Sequence, residues 1–181
     1  MTPAEDIHMG KPKFAFLLLK EHPYGREMLM QILSEGFIPD LIIEEDSEIG
    51  DEEREKFLKR IEGHQIAPSI QEQANELGID VVSVPIHNSE EVLPHLEGMD
   101  LDLIVFGGTR IIRGDILDYP ADGVINSHPG LLPDCRGSAS PAWSVFHDIP
   151  IGSSTHFCDN GIDTGDLLMR REFPVTRGMT Y

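Results

Sequence analysis

The chain of 181 residues is long enough to bury one hydrophobic core and falls within the size of a single domain. With 40% hydrophobic and 25% charged residues it has the make-up of a soluble globular protein, not a disordered or fibrous one. Its formal net charge of -18 repels polyanions, which counts against tracking nucleic-acid phosphates and against binding an anionic membrane.

Cys135 and Cys158 are the only cysteines, they form no C-x-x-C pair, and no basic start leads into a signal-like apolar run. The expected setting is reducing and cytoplasmic. The longest apolar runs, such as Phe14 to Leu19, are too short to span a bilayer, so no membrane partner is expected.

After a polar lead, apolar runs alternate with amphipathic stretches along the whole chain, which predicts an α/β sheet with crossover helices. Lys13 to Leu19 reads as the first buried strand. From Gly25 to Ser34, Met28, Leu29, Ile32 and Leu33 fall on one helical stripe, with Gly36 as the stop. Asp40 to Glu44 is the second strand. The acidic run from Glu44 to Lys56 predicts a solvated loop leading into an exposed helix, and no chemistry is assigned to it. Ser69 to Leu77 is helical, Ile79 to Val84 a third strand, and Ser89 to Leu96 a helix that Ser89 would cap. Leu101 to Phe106 is the most strand-like run in the chain. It passes directly into Gly107-Gly108-Thr109-Arg110, so a loop opens at the carboxyl end of that strand, where parallel sheets gather ligands. Ile111 to Tyr119 is expected as a short helix and Gly123 to Asn126 as a further strand. Residues 127 to 141 hold three prolines, two glycines and three serines, the composition of a structured loop able to carry function. Pro141 to His147 reads as helix, and Gly152 to Cys158 and Leu167 to Val175 as strands of a hairpin or sheet edge.

Three features converge on chemistry. Asn126 and His128 are two apart at a strand end, so both side chains address the same side. Asp163 follows within Gly161-Ile162-Asp163-Thr164-Gly165-Asp166, where flanking glycines allow a tight turn around bound substrate. The proline-rich loop between them can wall off water. Acyl transfer to an amine needs a donor for the oxyanion, a group that handles protons near neutral pH, and a carboxylate that orients or charges that group. Asn126 supplies an amide N–H, His128 an imidazole, and Asp163 the carboxylate, which could also relay a proton from the attacking amine through water.

The segment NSHPGLLPDCRG, residues 126 to 137, followed by GIDTGD, residues 161 to 166, resembles the N-x-H-x-S-L-L-P-x-x-x-G and D-x-G signatures of the folate-dependent formyltransferases. The resemblance is carried by residues 102 to 175. It implies a Rossmann-like, mostly parallel sheet with flanking helices, the formyltransferase fold, in a single catalytic domain over residues 1 to 181. It also implies transfer of a formyl group from 10-formyltetrahydrofolate, with Asn126, His128 and Asp163 as the catalytic residues. By the same resemblance Thr109, Arg110, Ile111 and Ile112 would contact the pterin of that donor and Leu117 would form an apolar wall. Asn160, Gly161 and Ile162 would close the other side, and His156 would support the site. Three departures stand out: Gly130 replaces the signature serine, the loop KEHPYGRE lacks the glycine-rich phosphate loop and the AGTPxFA start of two family branches, and the chain stops at Thr180-Tyr181 where relatives continue into another helix. The missing cover implies exposed apolar surface and a possible homodimer.

Competing readings are a formyltetrahydrofolate hydrolase, in which water replaces the amine, and a non-catalytic folate-binding or nucleotide-binding module, which would have no need of a proton-handling pair. A metal site of His128, His156 and Cys158 lacks further ligands, and Gly107, Gly108 and Gly114 do not form a dinucleotide fingerprint. Trp143 could stack on a substrate ring, but a core role is the expectation. The expected acceptor is a small amine, on an amino sugar nucleotide or an amino acid derivative, because 14 Lys and Arg against 32 Asp and Glu do not suit a tRNA. Arg110, Arg113 and Arg136 are expected to cluster near the site.

Overall fold

The computed structural model describes residues 10–176 and residue 178. Among these residues seven strands form one sheet in the order β3-β2-β1-β4-β5-β6-β7, with β1 Phe14–Leu19, β2 Leu41–Glu45, β3 Val81–Val84, β4 Leu103–Phe106, β5 Gly123–His128, β6 Gly152–Phe157 and β7 Leu167–Glu172. The first five run parallel, and β6 and β7 are antiparallel additions on the β5 side. Chain order reverses between β1 and β4, so the crevice at their carboxyl ends is the place where such a sheet receives a ligand.

All six residues of β1, FAFLLL, are buried, which is the pattern of a strand covered on both faces. Phe14, Phe16 and Leu18 pack with Leu29 of α1 (Pro23–Ser34) and with Ile70 and Ala74 of α3 (Ile70–Leu77). Ala15 and Leu17, on the opposite face, pack with Val92 and Leu96 of α4 (Ser89–Leu96) and with Ile112, Ile116 and Leu117. Alternate residues of one strand therefore serve two cores. Close approach at the centre requires glycine: a Cβ on Gly107 would lie 2.1 Å from the Phe16 ring, and one on Gly25 would lie 2.6 Å from the Gly107 carbonyl. Among the described residues no helix is long and apolar enough to cross a membrane.

Several local expectations are corrected. Residues 111 to 119 are not a helix but an extended loop with one 3-10 turn at Asp115–Leu117. Gly114 has φ of 87°, a left-handed geometry that stops a helix from forming through it, and neighbouring amides bond outward to Asn160 and Ser89. The acidic run is not a solvated loop at its start. Strand β2 continues through Glu45, with Glu44 and Glu45 both buried, and α2 (Glu48–Arg60) begins three residues later under a Ser47 cap. Helix α4 is capped by Asn88 and not by Ser89, whose hydroxyl instead accepts the Ile116 amide. Trp143, on α5 (Ser140–Phe146), is 51% exposed and so is not a core residue.

Candidate functional site

Strand β5 extends two residues beyond the expected end and finishes on His128, so Asn126 and His128 lie on its last three positions. The antiparallel partner β6 places His156 directly opposite Asn126. The 158–166 turn then brings Asp163 between the two histidines. Its Oδ2 is 3.4 Å from His128 Nδ1 and its Oδ1 is 3.5 Å from His156 Nε2. Asp163 holds a left-handed φ of 51°, and Oδ2 also accepts the Gly137 amide at 2.7 Å, which ties the proline-rich loop to the cluster. Sequence reasoning brought Asn126, His128 and Asp163 to one place, and the structure has them there with His156 as a fourth member.

Backbone carbonyls fix the hydrogen positions on both rings. His128 Nε2 is 2.8 Å from the Cys135 carbonyl, which can only accept, so that nitrogen carries the hydrogen. Likewise His156 Nδ1 lies 2.7 Å from the Phe157 carbonyl and donates to it. In the neutral form each imidazole therefore turns its bare nitrogen toward Asp163. The Asn126 amide nitrogen points at His156 Nε2 from 3.4 Å, so Asn126 is oriented within the cluster and is half-buried. His128 and His156 are both buried, while the Asp163 side chain keeps 13% exposure.

Ser140 was not singled out by sequence reasoning. It is fully buried at the start of α5, donates to the Gly137 carbonyl at 2.7 Å and offers its oxygen to His128 Nε2 at 3.0 Å. Gly130 makes room for it, since a Cβ there would meet His128 Nε2 at 2.7 Å and Ser140 Cβ at 2.8 Å. The hydroxyl beside His128 thus comes from α5, and the departure at Gly130 is the space it needs. Ser154 staples the same loop by donating to the Gly130 carbonyl and accepting the Leu132 amide.

A separate recess lies at the ends of β2, β3 and β4. A cavity of about 220 Å³ is lined by Glu45, Ile86, His87, Asn88 and Arg110 to Arg113. Of the residues expected at a donor pocket, Arg110, Ile111 and Ile112 line it. Thr109 is half-buried beside them, and Leu117 is buried in the core beneath. Asn160 accepts the Gly114 amide at 3.3 Å, so the 158–166 turn meets the 110–114 segment, with Gly161 and Ile162 exposed on that turn. Arg110 and Arg113 share the cavity, but Arg136 is not among its lining residues, and Arg110 is bonded to Glu45 at 2.7 Å. Burial, followed by the nearby Asp163 and Asp159 charges, pushes the Cys158 thiol up to about 12, so it is an inert thiol. Among the described residues no group of three or more His, Cys, Asp and Glu side chains is placed to hold a metal ion.

Residues 41–181 match the family model for formyl transferase. The chain is 34% identical over 177 residues to a methionyl-tRNA formyltransferase of Ruminiclostridium cellulolyticum, which covers 96% of this chain and 50% of that protein. It is 37% identical over 114 residues to a methionyl-tRNA formyltransferase of Syntrophus aciditrophicus, covering 61% of this chain and 36% of that protein. The chain thus spans half or less of the length of these relatives. In fold it is similar to glycinamide ribonucleotide transformylase 1 from Symbiobacterium toebii, at a TM-score of 0.68 and 20% identity over 99% of this chain and 82% of that one. A sugar N-formyltransferase from Shewanella shares the fold at a TM-score of 0.58 and 19% identity, over 91% of this chain and 58% of that one.

Proposed function

Because the chain belongs to the formyl transferase family, we propose that it forms a catalytic domain that moves a formyl group from 10-formyltetrahydrofolate to a primary amine. The observation that carries the proposal is the Asp163 carboxylate held within 3.5 Å of two imidazole nitrogens, with Asn126 on the strand end that carries His128. The acceptor nitrogen forms a bond to the formyl carbon, and the carbonyl electrons move onto oxygen. Asn126 donates its amide N–H to that oxyanion, a role typically worth about 10²- to 10³-fold in rate. The proton lost by the amine passes to the His128–Asp163 pair. As the oxyanion collapses, the bond from the formyl carbon to N10 breaks and a proton returns to N10, leaving a formamide and tetrahydrofolate.

For the donor, the residues proposed are Thr109, Arg110, Ile111, Ile112 and Leu117 on one side and Asn160, Gly161 and Ile162 on the other. The Gly114 to Asn160 bond that joins these two segments supports that reading. The cavity of about 220 Å³ is smaller than the ~300–1,000 Å³ of a typical small-molecule site, so it fits one part of the donor and not the whole.

The acceptor we propose is a small amine, such as that of an amino sugar nucleotide or an amino acid derivative. The reading rests on the excess of 32 acidic over 14 basic residues, which disfavours the phosphate neutralisation a tRNA requires. The names of the sequence relatives favour a second reading, methionyl-tRNA as acceptor. Incubation with 10-formyltetrahydrofolate, a panel of amines, initiator methionyl-tRNA at low salt and a buffer control decides between them. Formylation of a small amine faster than of methionyl-tRNA is the expected result. Comparable rates on the tRNA would overturn the acceptor, and formate release alone would turn the reading to hydrolysis.

A further inference from the structure

Glu45 ends β2 inside the protein: its side chain is 1% exposed. An ionised carboxylate persists in such a place only if its oxygens are satisfied. Oε1 accepts from the Ser47 hydroxyl at 2.8 Å and from Arg110 Nε at 2.7 Å, and Oε2 accepts the His87 amide at 3.0 Å. Burial pushes the Glu45 carboxyl up, but the hydrogen bonds from His87, Ser47 and Arg110 outweigh it and hold it below the usual carboxylate range. His87 is fixed as well: its Nε2 donates to the Ile43 carbonyl at 3.1 Å, leaving Nδ1 buried without a hydrogen bond, 3.7 Å from Glu45.

These contacts have a spatial meaning. Ile86 to Asn88 form one wall of the 220 Å³ cavity, Arg110 to Arg113 form the other, and Glu45 is the side chain bonded to both. The Ile86–Asn88 wall is also tied to β2 by the His87 Nε2 bond to the Ile43 carbonyl, whereas the Arg110 wall follows β4, which pairs with β1 and β5, so the Arg110–Glu45 bond is what links that wall to β2. We infer that Glu45 is a positioning residue for donor binding, which fixes the spacing of the two walls through the His87 amide and the Arg110 guanidinium. The inference rests on the donor reading above, and its test separates the two.

The measurements are the KM for 10-formyltetrahydrofolate, kcat, and the calorimetric Kd of 5-formyltetrahydrofolate, a stable folate probe, on wild type, Glu45→Gln, Arg110→Gln and the double variant. Glu45→Gln should raise donor KM and probe Kd at least about tenfold while kcat stays within about threefold, the signature of lost binding and intact chemistry. Because both residues act through one contact, the double variant should be no more than about twofold worse than the weaker single variant. Should Glu45→Gln fail to fold, the double variant, whose two amides can bond without charge, takes its place against wild type. Unchanged KM and Kd in a folded variant, or fully additive effects, would overturn the inference alone. A wild-type protein that neither binds the probe nor transfers formyl would overturn it together with the donor reading.

Discussion

His22 combines a helix cap with a buried ring. Its Nδ1 accepts the Tyr24 amide at 3.3 Å and its ring lies 4.8 Å from that of Phe57. Burial, partly opposed by Glu53 and reinforced by Arg54 and Arg60, lowers its pKa from 6.5 to about 4. The unfolded chain therefore takes up a proton first as pH falls. Stability from this site is complete above pH 6.5 and is lost progressively down to about 4, by up to about 3 kcal/mol. Replacing His22 with Asn keeps a capping acceptor and removes the titration, so denaturant melts between pH 7 and pH 4 should show a flatter loss for the variant. An unchanged slope would refute the assignment. At the proposed catalytic cluster, Asn126→Ala, His128→Ala and Asp163→Ala should each lower turnover by about 10²-fold or more with native circular dichroism. Near-normal transfer by His128→Ala would sink the mechanism. A spacing of two on a strand makes Asn126 and His128 readable as a pair, whereas Asp163 was joined to them by the glycine-flanked GIDTGD segment and its family resemblance. Ser140 and Glu45 were not readable: a serine before a proline and a glutamate in an acidic run both look solvated, and their burial depends on partners far away in the chain.

Among the elements, the short helix α3 depends most visibly on its ends. Ser69 Oγ accepts the Glu72 amide at 3.2 Å, Glu72 returns a bond to the Ser69 amide at 2.8 Å, and Gly78 closes the helix at φ 70°. Ser69→Ala should cost about 1 kcal/mol, read as a lower urea midpoint with unchanged m-value. No shift in the midpoint would mean that packing of Ile70 and Ala74 alone holds the helix. The central strands were legible because burial on both faces leaves uninterrupted apolar runs, as in FAFLLL and LIVF. Residues 111 to 119 misled for a related reason. Ile112, Ile116 and Leu117 have helical spacing and are all buried, yet they reach the core from a loop whose amides bond to Asn160 and Ser89. Periodicity reports which side chains go inward and says nothing of where the backbone hydrogen bonds go.

At the scale of the whole molecule, the net charge of -18 acts on the compact state as self-repulsion. Raising salt from about 10 mM to about 0.15 M shortens the screening length from about 30 Å to about 8 Å, so Tm should rise with sodium chloride over that range. A Tm that falls with salt would show that attractive ion pairs, such as Lys20–Asp46 and Arg170–Asp134, outweigh the repulsion. The change of direction at β5 has a consequence in time. Asn126 and His128 end the last of the five parallel strands, whereas His156 lies on antiparallel β6 and Asp163 on the turn that follows it. During synthesis β5 is complete at residue 128, before β6 begins at residue 152. The cluster can close only when β6 docks on β5, so a nascent or refolding chain can gain most of its helices before it gains any chemistry.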